Sequence, residues 1–566
     1  MAQRMSGGRF LAEMLSGYGV THVFYVEAIL RKALVEMESL GIRRILTHGE
    51  KAAAYMADGY ARMRRAPGVC LAQSVGAANL AAGLQEPYLG GSPVIALTGC
   101  QRPIARYRNA YQEILHAPMY APVTKFRAGV ESLEQLPFLL RQAFREATSG
   151  APGPVHLDLS GHLAQVVEGA EADLDVVLEP AYRRVPAHRT APEAGVLREA
   201  ARLLGQARRP VIVAGGGVTA SGAGAEVVAL AERLSIPVAT SLNGKETLLE
   251  SHPLNVGVVG RYSRWCANRV VSEADLVFFI GCSTGDLVTH DWRVPPPGVP
   301  VIQIDIDPSE LGRSYPGALG VLGDARLATR GLLDELAPSE APRPWAEHTR
   351  QTVQGWREEI QPQRTSDAIP IRPERLCGEL TECLPADAVL VADTGFAAIW
   401  SGTMVYLTQP RQRYLRCAGS LGWALPASLG VKCAAPDRPV VCFTGDGGFW
   451  YHVGELETAC RCGIRTVTVV NNNFALGQCA GSIRKLYDGR TGNPDDMYAF
   501  TRASLAAVAR EMGCLGIRVE APGEIAPALR QALQADRPAV VEVITDVNCP
   551  APEPWTPSQE NSRKGP

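Results

Sequence analysis

Short apolar runs alternate with longer amphipathic stretches through most of the chain. That is the pattern of strands joined by crossover helices. Near the start, residues 10–18, 29–40 and 50–65 read as helices, and 20–26, 42–46, 69–72, 94–98 and 155–159 read as strands. These elements predict a doubly wound α/β domain over residues 1–170. Periodicity fades over 171–192, where Pro, Arg and Glu collect, and a linker is expected there. A second α/β unit, 193–335, follows from strands at 211–214, 276–280 and 301–306. Residues 336–372 are rich in Pro and charge and read as another linker carrying one helix near 345–360. A third domain, 373–548, contains strands at 389–391, 440–443 and 466–470 and a helix over 449–462. The Pro- and Ser-rich tail, 549–566, is expected to be disordered or a loose lid. The predicted fold class is therefore α/β, with three doubly wound parallel-sheet domains.

Composition changes this picture little. A chain of 566 residues is too long for one core. It is 46% hydrophobic and 20% charged, ordinary for a soluble protein. A net charge of −2 gives neither nucleic acid nor a membrane surface an attracting field. No basic segment leads into an apolar one at the start, and no apolar run approaches about 18 residues. A cytoplasmic location is expected. The 14 cysteines are scattered, several within apolar runs (Cys70, Cys282, Cys442), where a thiol serves as a small hydrophobe. Cys460 and Cys462 have no partner pair at zinc spacing.

The chemistry concentrates between residues 440 and 476. The apolar run ends in Thr444-Gly445-Asp446-Gly447-Gly448, and the next strand ends in Asn471-Asn472-Asn473. Ligands of open parallel sheets bind beyond the carboxyl ends of strands. A carboxylate after one strand and a carboxamide after the next both offer oxygen, as Mg²⁺ requires when substrate phosphates fill its other positions. The bare turn at Gly447 and Gly448 can present backbone N–H groups to those phosphates.

This order of residues, with Glu455-Leu456 between the two strand ends, resembles the motif of thiamine-diphosphate enzymes. It is most similar to the acetolactate synthase and pyruvate oxidase group, and the likeness extends over nearly the whole chain. The resemblance implies pyrimidine-binding, central and diphosphate-binding domains. It implies Mg²⁺ held by the side chains of Asp446 and Asn473 and the carbonyl of Ala475. Gly395, Gly445, Gly447, Gly448 and Leu476 would stand beside the cofactor. Thr47-His48-Gly49-Glu50 resembles the segment whose glutamate activates the aminopyrimidine, so Glu50 would be both catalytic and cofactor-binding. Ser74 and Asn79 fall on the cofactor-side loop. Gln112, in Tyr111-Gln112-Glu113, falls at the substrate; four residues from His116, it would share a helical face with it. His116 itself reads as part of a solvated polar stripe. Leu421, in Gly419-Ser420-Leu421-Gly422, would prop the thiamine in its bent form.

The implied activity is that of a carboligase or lyase acting on 2-keto acids or 2-hydroxy carbonyl compounds through a C2 carbanion and an enamine. A non-oxidative 2-keto acid decarboxylase, an acyl-CoA-type lyase, and a non-catalytic regulatory relative are the alternatives. Partners would be a small carbonyl substrate and further copies of the chain, as a homodimer or homotetramer with active sites at the subunit interface. Several positions depart from the group. Val75 stands where proline-glycine is usual, and Val23 to Ala28 replaces a glycine- and proline-bearing loop. Gln478 and Ser482 replace a Met and a Trp. Ser283 replaces an FAD-contacting arginine and Gly260-Arg261-Tyr262 a glycine-methionine-histidine, so Gly215 to Gly217 leave FAD, another nucleotide or none open. Cys479 stands where related decarboxylases place a proton-handling glutamate. A thiol is the poorer proton source, which favours carbon–carbon ligation over release of free aldehyde. Glu27, on the early loop, is the candidate acid in its stead.

Overall fold

The computed structural model describes residues 2–336 and 343–557. Among them are three six-stranded sheets, parallel throughout, with helices on both faces. Numbering strands by their order within each sheet, the first and third sheets share the order 2-1-3-4-6-5. The central sheet runs 3-2-1-4-5-6, the dinucleotide-fold order. Strands such as Val94–Cys100 and Leu276–Ile280 are buried along their whole length because helices cover both faces, which is why their sequences are apolar without alternation.

One contact sets how the first and third domains meet. Helix Glu50–Arg64 packs against helix Ala424–Ala434. The first is buried from Ala52 to Ala61, which accounts for its alanine-rich sequence. A methyl group on Gly59 would overlap the carbonyl oxygen of Ala427, and one on Gly430 would overlap that of Met56. Glycine is needed at both positions for the backbones to approach so closely. The central domain is tied to the third by Lys245, which is buried and donates to the carbonyls of Ser401, Gly402 and Val405 at the end of helix Phe396–Met404. Burial pulls its ammonium down to about 7.

Four readings of the sequence need correction. Within the expected linker at 171–192, Glu171–Leu174 pairs antiparallel with Gln3–Ser6. Such a short polar strand leaves no run of apolar residues to reveal it. The helix expected over 449–462 is two helices, Asp446–Tyr451 and Glu455–Cys462. The break lets the Glu455 carboxylate accept the His48 N–H at 3.0 Å across the domain interface. The helix expected near 345–360 is present as Pro344–Arg364, but it is packed against the domains and does not merely link them: Trp345, Val353, Trp356 and Ile360 are buried on one face, and Trp345 Nε1 donates to the carbonyl of Pro210. The start of the expected tail is docked, with Ala551 and Thr556 buried and the Trp555 carbonyl accepting from Asn268 Nδ2 at 3.0 Å. Residues 558–566 of that tail, and 337–342 of the second linker, lie outside the described residues.

Candidate active site

The residues singled out in the sequence lie just past the carboxyl ends of strands or in the loops that follow them. In the third domain, Gly395 follows Val389–Ala392, Leu421 follows Arg413–Arg416, Asp446 follows Val440–Gly445, and Asn473 follows Val467–Asn472. The structure draws these turns into one rim. Asp446 is 3% exposed; its Oδ1 accepts the Gly447 N–H and its Oδ2 the Ala475 N–H, both at 2.8 Å. Burial pushes its carboxyl up to about 7, although those N–H groups favour the charged form. A divalent cation alongside would stabilise the carboxylate. Gly395 has φ 65° and ψ −143°, a conformation open in practice only to glycine. A side chain on Gly448 would press on Thr444 and Asp393, and one on Gly447 on Leu476, so the turn is bare because it is crowded.

The three asparagines divide their work. Asn471 Oδ1 accepts from Thr545 Oγ1 at 2.6 Å, and Asn472 Nδ2 donates to the buried Glu542 at 2.8 Å. Both are interior. Only Asn473 is part-exposed at the rim, with its Oδ1 3.2 Å from the Ala475 N–H. Phe474, at φ 58°, turns the chain so that Asn473 and Ala475 flank Asp446.

In the first domain a second cluster forms. Glu50 opens its helix; its Oε2 accepts from Asn79 Nδ2 at 3.1 Å, and its Oε1 fills the space that a side chain on Gly76 would take. Ser74 is fully buried, and its Oγ donates to the Gln112 carbonyl at 2.7 Å. Gln112 and His116 do not share a helix: Gln112 sits in a loop at φ 59°, and the helix starts at His116. Nor is His116 solvated. It is 2% exposed, with Nδ1 3.0 Å from Asp158 Oδ1 and Nε2 2.9 Å from the Ser74 carbonyl. It braces the loops of Ser74 and Gln112 from behind. Glu27 is exposed and ion-paired with Arg31, apart from the Glu50 and Ser74 contacts. Cys479 is exposed in the first turn of helix Gly477–Leu486.

Two further carboxylates stand here: Asp393, whose turn Asp393-Thr394-Gly395 reads in the sequence as lying on the diphosphate side, and Glu86, which the sequence reading missed. Asp393, 1% exposed, accepts the N–H groups of Gly422 and Ala424 at 3.0 and 3.1 Å, and burial pushes its carboxyl up to about 6. Glu86 is fully buried although it lies on the largely apolar helix Gly76–Gly90. A lone acid in such a helix was the available signal.

Between the domains, beyond the carboxyl ends of the central sheet, lies a cavity of about 530 Å³. Ser241, Asn243, Tyr262, Asp305, Arg65 and Arg416 are among its walls. That volume is typical of a small-molecule site. Gly215 and Gly217, however, are bare because side chains there would strike the backbone at Gly281.

The fold and this rim define an α/β protein whose acid, carboxamide and bare glycine turn gather at the carboxyl edge of a parallel sheet. The N-terminal TPP binding domain of thiamine pyrophosphate enzymes matches residues 5–119, their central domain residues 197–332, and their C-terminal TPP binding domain residues 393–543. Among curated relatives, a probable acetolactate synthase large subunit of Methanocaldococcus jannaschii is 33% identical over 96% of this chain and 92% of its own. The acetolactate synthase large subunit of Corynebacterium glutamicum is 31% identical over 96% and 87%. A probable 2-ketoarginine decarboxylase of Pseudomonas aeruginosa is 33% identical over 84% and 83%. The chain belongs to the thiamine pyrophosphate enzymes of the acetolactate synthase group. The donor set fits that cofactor: a buried carboxylate, a part-exposed carboxamide and a bare glycine turn stand on one rim.

Proposed function

We propose that the protein joins or cleaves carbon–carbon bonds of 2-keto acids or 2-hydroxy carbonyl compounds, with ligation favoured over release of aldehyde. When bound, thiamine diphosphate supplies an electron sink for a carbanion next to a carbonyl. Asp446 and Asn473, with the Ala475 carbonyl, would hold Mg²⁺ against the diphosphate. Gly395, Gly445, Gly447 and Gly448 would leave room for its oxygens, and Leu476 would flank it. Leu421 would support the bent cofactor. Glu50, oriented by Asn79, would hold the proton at the aminopyrimidine N1′. Gln112 would face the substrate, and Ser74, whose hydroxyl holds the Gln112 carbonyl, would stand on the cofactor side. The observation that carries this reading is the Asp446 carboxylate, buried, braced by backbone N–H groups and flanked by Asn473.

Glu50 and Asp446 would come from different copies of the chain, in a homodimer or homotetramer. Ile104, Tyr107, Tyr111 and Leu115 are exposed on the loop after strand Val94–Cys100, an apolar patch of the kind a partner covers. All fourteen cysteines are free, which suits a reducing cytoplasm. For the central cavity another nucleotide, or none, stands level with FAD, since Ser283 and Tyr262, two positions that depart from the group, line it and packing already accounts for Gly215 and Gly217. The absorption spectrum of the purified protein decides whether flavin is present.

The relative named for 2-ketoarginine supports decarboxylation as a second reading, with Glu27 as the proton donor. Product analysis from a 2-keto acid, with and without an acceptor aldehyde, separates the two. A 2-hydroxyketone that increases with acceptor is expected. Quantitative free aldehyde at high acceptor would refute ligation, and a shift toward ligation in Glu27→Gln would then assign the acid.

A further inference from the structure

The segment from Arg416 to Ala424, which carries Leu421 at its crest, is gripped from two sides. From its own domain, Asp393 takes the N–H groups of Gly422 and Ala424. From the first domain, Glu86 takes the three preceding ones: its Oε1 accepts from Ala418, and its Oε2 from Gly419 and Ser420, both at 3.2 Å. Gln85, beside it, donates to Ser420 Oγ at 3.1 Å. Leu421 emerges between the two grips and is 36% exposed.

Glu86 also has a cation beside it. Arg62 Nη2 lies 3.3 Å from its Oε1, while Arg62 Nε donates to Asp58 and its guanidinium stacks on Trp423. Trp423 Nε1 in turn donates to Asp58 Oδ2 at 2.9 Å. Arg62 is shared between two buried carboxylates, so this one cation does not balance both. The three consecutive amides converging on Glu86 are a separate arrangement. It is an anion nest that fixes the backbone where a side chain must project outward.

We propose that Glu86 is a positioning residue: acting across the domain interface, it holds the 418–420 backbone so that Leu421 supports the bent thiamine diphosphate held by the same chain's third domain. This rests on the cofactor reading above. It also means that two first domains would shape each site, one copy's through Glu50 and the other's, on the same chain as Leu421, through Glu86.

The test uses the full-length protein. Amide hydrogen exchange is measured without cofactor. The C2 hydrogen–deuterium exchange and near-ultraviolet circular dichroism of bound thiamine diphosphate are measured with Mg²⁺. In Glu86→Gln, exchange at Ala418, Gly419 and Ser420 should be at least about tenfold faster than in wild type. C2 exchange should be about tenfold slower and the dichroism of the aminopyrimidine altered, while the cofactor dissociation constant stays within about threefold. Gln85→Ala removes only the side-chain contact to Ser420. It should move the same readouts in the same direction by less, and it carries the test if Glu86→Gln does not fold. Unchanged amide exchange overturns the grip. Faster amide exchange with unaltered C2 exchange overturns the positioning role. A wild-type protein that binds no thiamine diphosphate overturns the cofactor reading itself, and that control is seen before any variant is compared.

Discussion

The first and third domains are the same fold put to different uses. Both sheets run 2-1-3-4-6-5, and in each the helix after the second strand forms the contact between them. The contact is reciprocal: Gly59 sits on Ala427 and Gly430 on Met56. Counting back equally from the two glycines places Glu50 of one domain opposite Leu421 of the other. Where the third strand ends stand Gln73-Ser74-Val75-Gly76 in the first domain and Gly445-Asp446-Gly447-Gly448 in the third. One scaffold thus offers a carboxylic acid where the other offers an apolar side chain, and a hydroxyl where the other offers a buried acid. Both domains place these groups at strand ends, where backbone polar groups are unpaired and a ligand can be gripped. Under the proposed function, the side chains at those ends would decide which half of the cofactor each domain meets.

Removing the acid at one of the opposed positions should have the largest effect. Glu50→Gln should retain cofactor but lose on the order of 10³-fold in turnover, the scale of a missing proton-transfer group. Wild-type C2 exchange in that variant would refute the role. The counterpart of Ser74 is tested next: Asp446→Ala should weaken Mg²⁺-dependent thiamine diphosphate binding by about a hundredfold or more, because the diphosphate loses its metal bridge. Calorimetric titration with and without Mg²⁺ reads this directly, and equal affinity would sink the site.

The reciprocal glycines test whether the contact is truly shared. Gly59→Ala and Gly430→Ala should each destabilise by about 1–3 kcal/mol, since a methyl must displace backbone rather than a mobile side chain. Comparable losses of thermal stability are expected, and tolerance at one position alone would break the symmetry. Leu421→Ala removes shape without removing a charge, so its loss should stay near tenfold in C2 exchange, far below that of Glu50→Gln.

The smallest effect near neutrality concerns acid. Burial pulls His22 and His452 down to about 4 and His156 to about 3. Below about pH 6.5 the unfolded chain therefore binds protons that the folded one refuses. Stability falls as pH drops from there and levels off only below the folded values. Arg43 and Arg64 face His22 and Lys51 faces His452, each deepening the shift, while Asp158 opposes it at His156. Two of the three lie in the first domain. Hydrogen exchange at pH 5 should accordingly rise within 22–160 before 389–544, and the reverse order would show that these histidines do not govern acid sensitivity.

The chain's local patterns determined a good deal. Buried parallel strands announce themselves as unbroken apolar runs, so the strand at 276–280 was legible to the residue. The placing of Asp446 and Asn473 at neighbouring strand ends was legible because each closes an apolar run, whereas Ala475 entered only through the resemblance. Glu50 was legible only as part of a longer resembling segment, since an acid at a helix start is favourable for its own sake. Only tertiary structure decided the rest. Local sequence holds no sign that Asn471 and Asn472 turn inward to Thr545 and Glu542 while Asn473 turns out. It could not show His116 braced against Asp158, or Glu86 closing on amides more than three hundred residues away. Hydrophobic periodicity reports burial along one element. The partner of a buried polar group is chosen by which other elements pack against it, and that choice exists only in the folded chain.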